Sequence, residues 1–545
     1  LRNVQAFDGN IGLQGKDIVF GSQRIHEFTL TADGGQNQAT ATMNLTGDLG
    51  GAFALSTQIG MKMNKDRIKI SLPQGDGHFA ALPFSWNQPL QADLTGNSLH
   101  LSWPEMRLGK GVLQIEANAE NELVQGSVQA RNLDLAQFPL PADFGLSGKT
   151  GMDISLSGTR RSPEIAFDLR IQDLRSQRGQ AEDRPGISLQ ANGKVTNGEL
   201  KSQLAFQGES DLDLQASLNL PVDFVLQPVT FQAGNRLTAD LQGNADLGLM
   251  STFIPLDGQD LEGRLTMDIH TSGSLPHPLI QGNIGLSDGQ FENFSTGTLL
   301  ADIQASIALQ GYQVTLKQLT ATDGEQGTIQ VSGNVDFDPD SDLSYSLETQ
   351  LDKATLVRMD MATAGISGGV DLEGNTQGAD IHGDLKAFPV NIGLPDPAPS
   401  GLQGLHIVRD QQEQTGGDTD SRENDPSFAQ KTTMDIKVLI PGGCYVRGRG
   451  LDSEWEGNLH IQGQADQPKI SGYVQVIRGN LDLLTKRFIL DKGRVTFLSR
   501  YPPQPEIDIV AETSVNDLLA KVNISGQATE PSIELSSEPV LPRDE

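Results

Sequence analysis

Gly365-Ile366-Ser367-Gly368-Gly369 has the Gly-x-Ser-x-Gly spacing of a serine nucleophile for acyl transfer. That chemistry needs a strand before the serine and a helix after it, so that the hydroxyl stands at the tip of a sharp turn. Here the alternating Val370 and Leu372 follow at once, which predicts strand and no nucleophile. Gly148-Lys149-Thr150 ends like a phosphate-binding loop, but Asp143 stands where the opening glycine belongs. Asp336, Asp338, Asp340 and Asp342 have the spacing of carboxylate ligands to calcium. A helical-hand loop would then need Gly and Glu where Ser341 and Leu347 stand, so a solvated turn is expected. The eight histidines form no i, i+4 pair, and Cys444 is the single cysteine, so neither a zinc site nor an intrachain disulfide is expected. The expectation is a chain with no catalytic residue, no metal and no cofactor.

What remains is apolar alternation. Ile165, Phe167, Leu169 and Ile171 alternate with Ala166, Asp168 and Arg170, and Leu299 to Leu309 does the same. A period of two places one set on each face of a strand, giving an apolar stripe on one side and Asp, Gln, Ser, Thr and Asn on the other. Ile165, Phe167, Leu169, Ile329, Val331, Leu343, Tyr345, Leu347, Val474, Val476, Leu481 and Leu483 are the candidate apolar lining. The fold class expected is all-β, an elongated curled sheet with an apolar inner face and a few short helices.

The stripes are punctuated by one pattern, Gly-x4-Pro-x-Ile, at Gly158–Pro163–Ile165, Gly273–Pro278–Ile280, Gly463–Pro468–Ile470 and Gly526–Pro531–Ile533. It reads as strand, turn, strand, reused along the chain. Apolar residues make up only 37% and aromatics 5%, which suits a sheet with one wet face better than a deep core. The anchors lie 115, 190 and 63 residues apart, unlike the steady coil of a parallel β-helix. A net charge of −30 disfavours phosphate contacts, so no nucleic acid partner is expected. No run of about 18 apolar residues occurs, and the chain opens at Leu1 in patterned sequence, so a targeting segment is expected upstream.

Three segments, Asn132–Leu140, Asp246–Leu256 and Lys353–Ala364, break the alternation and are expected to be short helices. Residues 395–431 are rich in Pro, then in Gln, Asp, Glu, Gly and Ser, and are expected to form a flexible acidic loop. Composition fits a linker between domains and a loop inserted in one sheet equally well. The layout expected is 1–144 and 145–394 as β-groove, 395–431 as loop, and 432–545 as a C-terminal domain.

The last segment carries a recognisable order of residues. It runs from Tyr445-Val-Arg-Gly-Arg-Gly-Leu-Asp-Ser-Glu-Trp-Glu-Gly457 through Gly463-x4-Pro468 and Val476-Ile-Arg478-Gly479. Lys486-Arg487-Phe488-x-Leu490-x-x-Gly493-Arg494-Val495-x-Phe497, Pro505-x-Ile507-Asp508-Ile509 and Leu535-Ser-Ser537-x-Pro539-x-Leu541-Pro542 follow. This order resembles the C-terminal domain of the TamB family, the inner-membrane subunit of the translocation and assembly module, and the resemblance extends over about residues 145–545. It implies a β-taco with an apolar groove that spans the periplasm and is anchored in the inner membrane by an N-terminal helix absent from this chain. It also implies a TamA-like outer-membrane barrel with POTRA domains as partner, and phospholipids or outer-membrane protein and autotransporter clients as cargo. Two functions follow as expectations: a conduit for phospholipid, and a scaffold that receives client β-strands.

Overall fold

The computed structural model describes residues 9–20, 23–35, 37–48, 51–64, 66–138, 145–176, 186–208, 211–226, 229–251, 258–395, 428–483, 486–515 and 518–540. Most of the expected 395–431 loop, and His406 within it, lies outside the described residues. Among the described residues stand 33 strands, one five-residue α-helix and two 3₁₀ turns. The all-β expectation holds. The chain divides into two compact units, one of Leu1–Pro255 with Arg264–Ile284, the other of Leu256–Gly263 with Gly285–Glu545.

In the first unit most strands pair antiparallel with their sequence neighbours, with exceptions such as Arg67–Leu72 on Leu90–Thr95. Leu146–Gly158, Pro163–Ser176, Ile187–Thr196, Glu199–Gln207 and Asp213–Leu226 form one such run. The second unit repeats this from Thr298–Gly311 to Gly378–Gly393. Then comes an exception: Gly378–Gly393 pairs parallel with Thr433–Gly448. Parallel neighbours need a long crossover rather than a hairpin. The strands on either side of residues 394–432 are thus neighbours in one sheet. Antiparallel pairing resumes from Thr433–Gly448 to Ser532–Glu538.

The repeated motif is a hairpin turn. Gly158, Gly273, Gly463 and Gly526 all adopt φ between 97° and 103°, a region closed to most side chains. The four residues after each glycine make the turn, as Thr159 N–H donating to Ser162 O shows in the first copy and Gln467 N–H donating to Gln464 O in the third. The isoleucine then pairs with the apolar residue two before the glycine: Ile165 with Leu156, Ile470 with Ile461, Ile533 with Ile524.

Each sheet bends where an extra residue is inserted into a strand. Asn132, Asp173, Asp302 and Lys353 have φ of 51–54° and stand at breaks in register. Such bulges raise local twist and turn a flat sheet into a curled one. Asn132 and Asp173 fall on strands flanking a third break, between Ser147 and Lys149, so the bends line up across three strands.

Of the three expected helices, two exist in shortened form. Leu135–Gln137 is a 3₁₀ turn begun by the Asp134 carboxylate, and Leu247–Ser251 is an α-helix with Asp246 accepting from Leu249 N–H. The third expectation is wrong. Lys353–Ala364 is the end of strand Ser344–Met359, a turn, and the start of Ala362–Asn375. Two register breaks in that stretch, at Leu351/Ala354 and Thr355/Val357, move its apolar residues off the period of two.

Candidate apolar groove

The register assembles the apolar stripes into rows. In the first unit Ile165 lies between Leu156 and Val195, Phe167 between Ile154 and Gly193, and Leu169 between Met152 and Ala191. Val195 continues to Leu200 and then to Leu220, while Gly193 continues to Ser202 and Leu218. Each row therefore crosses five strands on one face. A concavity of 670 Å³ on this sheet is lined mainly by the polar alternates, among them Gln129, Asp153, Asp168, Asn192, Lys194 and Gln203, with the row of Ile154, Phe167, Gly193, Ser202 and Leu218 between them.

The second unit builds the same surface. Ile329 lies beside Leu351, Val331 beside Thr349, Leu347 between Gly333 and Leu372, and Tyr345 between Val335 and Gly374. Ile329 is buried, while Val331, Tyr345 and Leu347 are half-buried and Gln330, Ser346 and Glu348 between them are exposed. Leu343 belongs to the turn just before strand Ser344–Met359 and is half-buried. Val474, Val476, Leu481 and Leu483 all pack on one core of Ile440, Cys444, Trp455, Phe488, Leu490, Ile509, Ala511 and Val522. The even and the odd pair share a face because one extra residue, Ile477, is inserted in their own strand, where Trp455 pairs with Val476 and Glu454 with Arg478. A second concavity, of 760 Å³, is lined by Lys386, Lys437, Leu439, Asn458, His460 and Tyr473, the alternates of the inward row Gly368, Leu385, Val438, Leu459 and Gly472 that lies between them.

Glycines keep these rows low, which the alternation alone did not reveal. A Cβ on Gly193 would meet the Phe167 ring at 2.6 Å, and one on Gly374 the Tyr345 hydroxyl at 2.5 Å. One on Gly333 would meet Leu347 at 2.6 Å. The large side chain lies down across the neighbouring strand where glycine leaves room, so the inner face is apolar without being filled. The sequence signal was present as Gly193, Gly333 and Gly374 inside alternating runs.

The other motifs resolve into structure. Gly365–Gly369 lies wholly inside strand Ala362–Asn375, and Lys149 and Thr150 inside Leu146–Gly158. In the aspartate ladder, Asp336 accepts from Asp338 N–H at 3.3 Å and Asp338 from Asp340 N–H at 3.0 Å, turning the chain between two strands. His270 pairs with Asp240 at 2.7 Å and His460 with Asp435 at 2.5 Å. The imidazole of His460 holds the Asp435 carboxyl below its usual pKa. Burial pushes the Cys444 thiol up, so it is no ready nucleophile. No group of three His, Cys, Asp or Glu side chains among the described residues is placed to hold a metal ion, and no described helix is long and apolar enough to cross a membrane.

The curled sheet with its apolar inner face is thus a β-groove in each unit. Residues 317–545, all within the second unit, match the family model of the TamB C-terminal domain.

Proposed function

We propose that this chain is a non-enzymatic conduit for phospholipid acyl tails, working in the periplasm with a TamA-like outer-membrane partner. The observation that carries the reading is the set of half-buried apolar rows kept in register across neighbouring strands, with Phe167, Tyr345 and Leu347 lying over glycines. A tail on such a surface gains roughly 0.8 kcal/mol per buried methylene while the head group stays in water. Because the rows repeat from strand to strand, one position is worth much the same as the next and sliding meets no deep trap. The experiment is photocrosslinking in cells from Phe167, Tyr345 and Val474, with Asp168, Gln330 and Ser346 as controls. Lipid adducts concentrated at the first three support the conduit; equal yields at all six sink it.

A second reading rests on strand Ser532–Glu538, whose one hydrogen-bonded neighbour among the described residues is Leu518–Gln527. Ile533 and Leu535 on it are 60% and 59% exposed, as suits an edge that accepts a client strand. Proline substitutions along this strand would then abolish client assembly and leave the lipid adducts intact.

A further inference from the structure

We propose that the outward face of strands Thr433–Gly448, Leu451–Gln464, Lys469–Leu483 and Lys486–Arg500 docks an acidic polypeptide, whatever the groove on the other side carries. The alternates on these strands, Val438, Leu459, Val474 and Val495, pack on the inner core. Their neighbours Leu439, Asn458, Tyr473 and Thr496 pair in one row on the opposite face. Leu439 is 46% exposed and Leu498 40%, although both stand in regular strand.

Arginines stack on the tyrosines of this face. The Arg494 guanidinium lies 3.9 Å from the Tyr473 ring centre and that of Arg447 4.8 Å from Tyr445. Tyr and Arg are the residues enriched at the centre of protein interfaces. The equivalent face of strands Thr328–Asp336, Ser344–Met359 and Ala362–Asn375 carries Gln330, Ser332, Ser346, Glu348, Asp371 and Glu373 instead. It exposes neither apolar side chain nor cation along those rows.

Charge names the partner. This face carries Lys437, Lys469 and Arg494 beside the ion pairs Arg447–Asp452, Arg478–Glu454 and Arg487–Asp482, in a chain of net charge −30. Collecting cations in one place against that field favours an acidic surface and speeds its arrival. A polypeptide fits better than an anionic bilayer. Asp384 is paired with Lys437 in register and Asp435 with His460 by hydrogen bond, so carboxylates lie among the cations. A uniformly negative plane would press on those carboxylates, whereas a polypeptide can match sign row by row.

The test uses the full chain in cells, with a benzophenone side chain at Leu439 or Leu498 and controls at Ser346 and Glu348. The contacting peptide of any adduct is sequenced. The expected result is a protein adduct at the first two positions, with a contact peptide of net negative charge. Its yield should fall about tenfold in Lys437→Glu/Arg494→Glu and persist in Lys437→Arg/Arg494→Lys, which keeps the sign. Overturning results are yields no higher than the controls, a neutral or basic contact peptide, a lipid adduct, or a yield unmoved by charge reversal. Groove crosslinks from Phe167 are read separately, so failure of the conduit and failure of this surface are distinguishable.

Discussion

Two stretches of the second unit curl the same sheet by different chemistry. Around strands Thr298–Gly311 to Ser344–Met359 the buried apolar set is small: Ile303, Ala321, Ile329 and Ala354. Beside it sits Asp323, only 1% exposed, accepting N–H groups from Glu325 and Gly327 at 2.9 Å and from Thr355 at 2.8 Å. Arg358 donates to the Asp323 carbonyl at 2.5 Å. One carboxylate thus ties the turn between two strands to the bulge of a third. From Thr433–Gly448 to Leu518–Gln527 the bend is held by apolar packing instead, with Ala511 and Val522 fully buried and Trp455 4% exposed. A polar clamp at the rim leaves the rows of Tyr345 and Leu347 half-open, while an apolar bend consumes inner surface to hold the curl.

Removing Trp455 should break this comparison hardest. Its ring reaches within 3.4 Å of where a Cβ on Gly493 would stand, and its indole N–H donates to Ser453 Oγ at 2.8 Å. Trp455→Ala should cost about 3–5 kcal/mol as cavity and lost packing. Hydrogen exchange would show it as lost protection of amides between residues 440 and 522, with those of 298–359 unmoved. Uniform loss across both stretches would mean that the two curls do not open separately.

Asp323→Ala should open the other stretch, by about 1–3 kcal/mol, since buried N–H groups lose their acceptor. Burial alone would raise the pKa of this carboxyl; the N–H groups of Thr355, Glu325 and Gly327 outweigh it and hold it lowered. A lowered folded pKa means that the clamp stabilises at pH above the usual carboxyl value and fails as pH falls through the folded one. Protection of residues 298–359 should therefore drop on acidification in the native chain, and that pH dependence should flatten in Asp323→Asn. An acid response unchanged in Asp323→Asn would remove Asp323 from the explanation.

How much of this the sequence revealed depends on range. Strand grain was legible because a period of two is local, and the four Gly-x4-Pro turns because each is written within eight residues. Lys353–Ala364 misled for a physical reason: two bulges within nine residues leave Ala354, Leu356 and Val357 at a spacing that imitates a helix. The slip that brings Leu481 and Leu483 to the face of Val474 and Val476 is one extra residue, Ile477, in the same strand, and the sequence shows it only as a change from even to odd apolar positions across Ile477-Arg478-Gly479-Asn480. The parallel pairing of Gly378–Gly393 with Thr433–Gly448 is a choice of partner across about forty residues, and composition holds no information on it. The stacked tyrosines were half-legible: Tyr445 and Arg447 are two apart on one face, but Tyr473 and Arg494 meet only through strand pairing.

The repeated turn offers a graded test of how far four copies are one device. All four glycines share φ near 100°, so replacement by alanine should cost about 1–2 kcal/mol at each from backbone strain. Crowding differs. A Cβ on Gly158 would lie 2.6 Å from Ser162 O and one on Gly273 2.9 Å from His277 O, while those on Gly463 and Gly526 find 3.6 and 3.8 Å. Gly158→Ala should therefore be the most costly and Gly526→Ala the least, read as midpoint shifts in urea. Equal shifts would make strain the whole effect.

The smallest effect expected is a gain. Lys353 holds φ of 53° at the bulge that Asp323 clamps through Thr355, and its own N–H donates to Ser367 Oγ at 2.8 Å. Of the twelve described non-glycine residues with positive φ, most are Asp or Asn, whose short polar side chains tolerate that conformation. Lysine has no such compensation. Lys353→Asn keeps the backbone N–H and should stabilise by about 0.5 kcal/mol by relieving the strained residue. The gain should appear as slower exchange at residues 351–359 and leave residues 440–522 untouched. A loss instead would show that the lysine side chain contributes to the clamp, and the rim would then be held by more than one carboxylate.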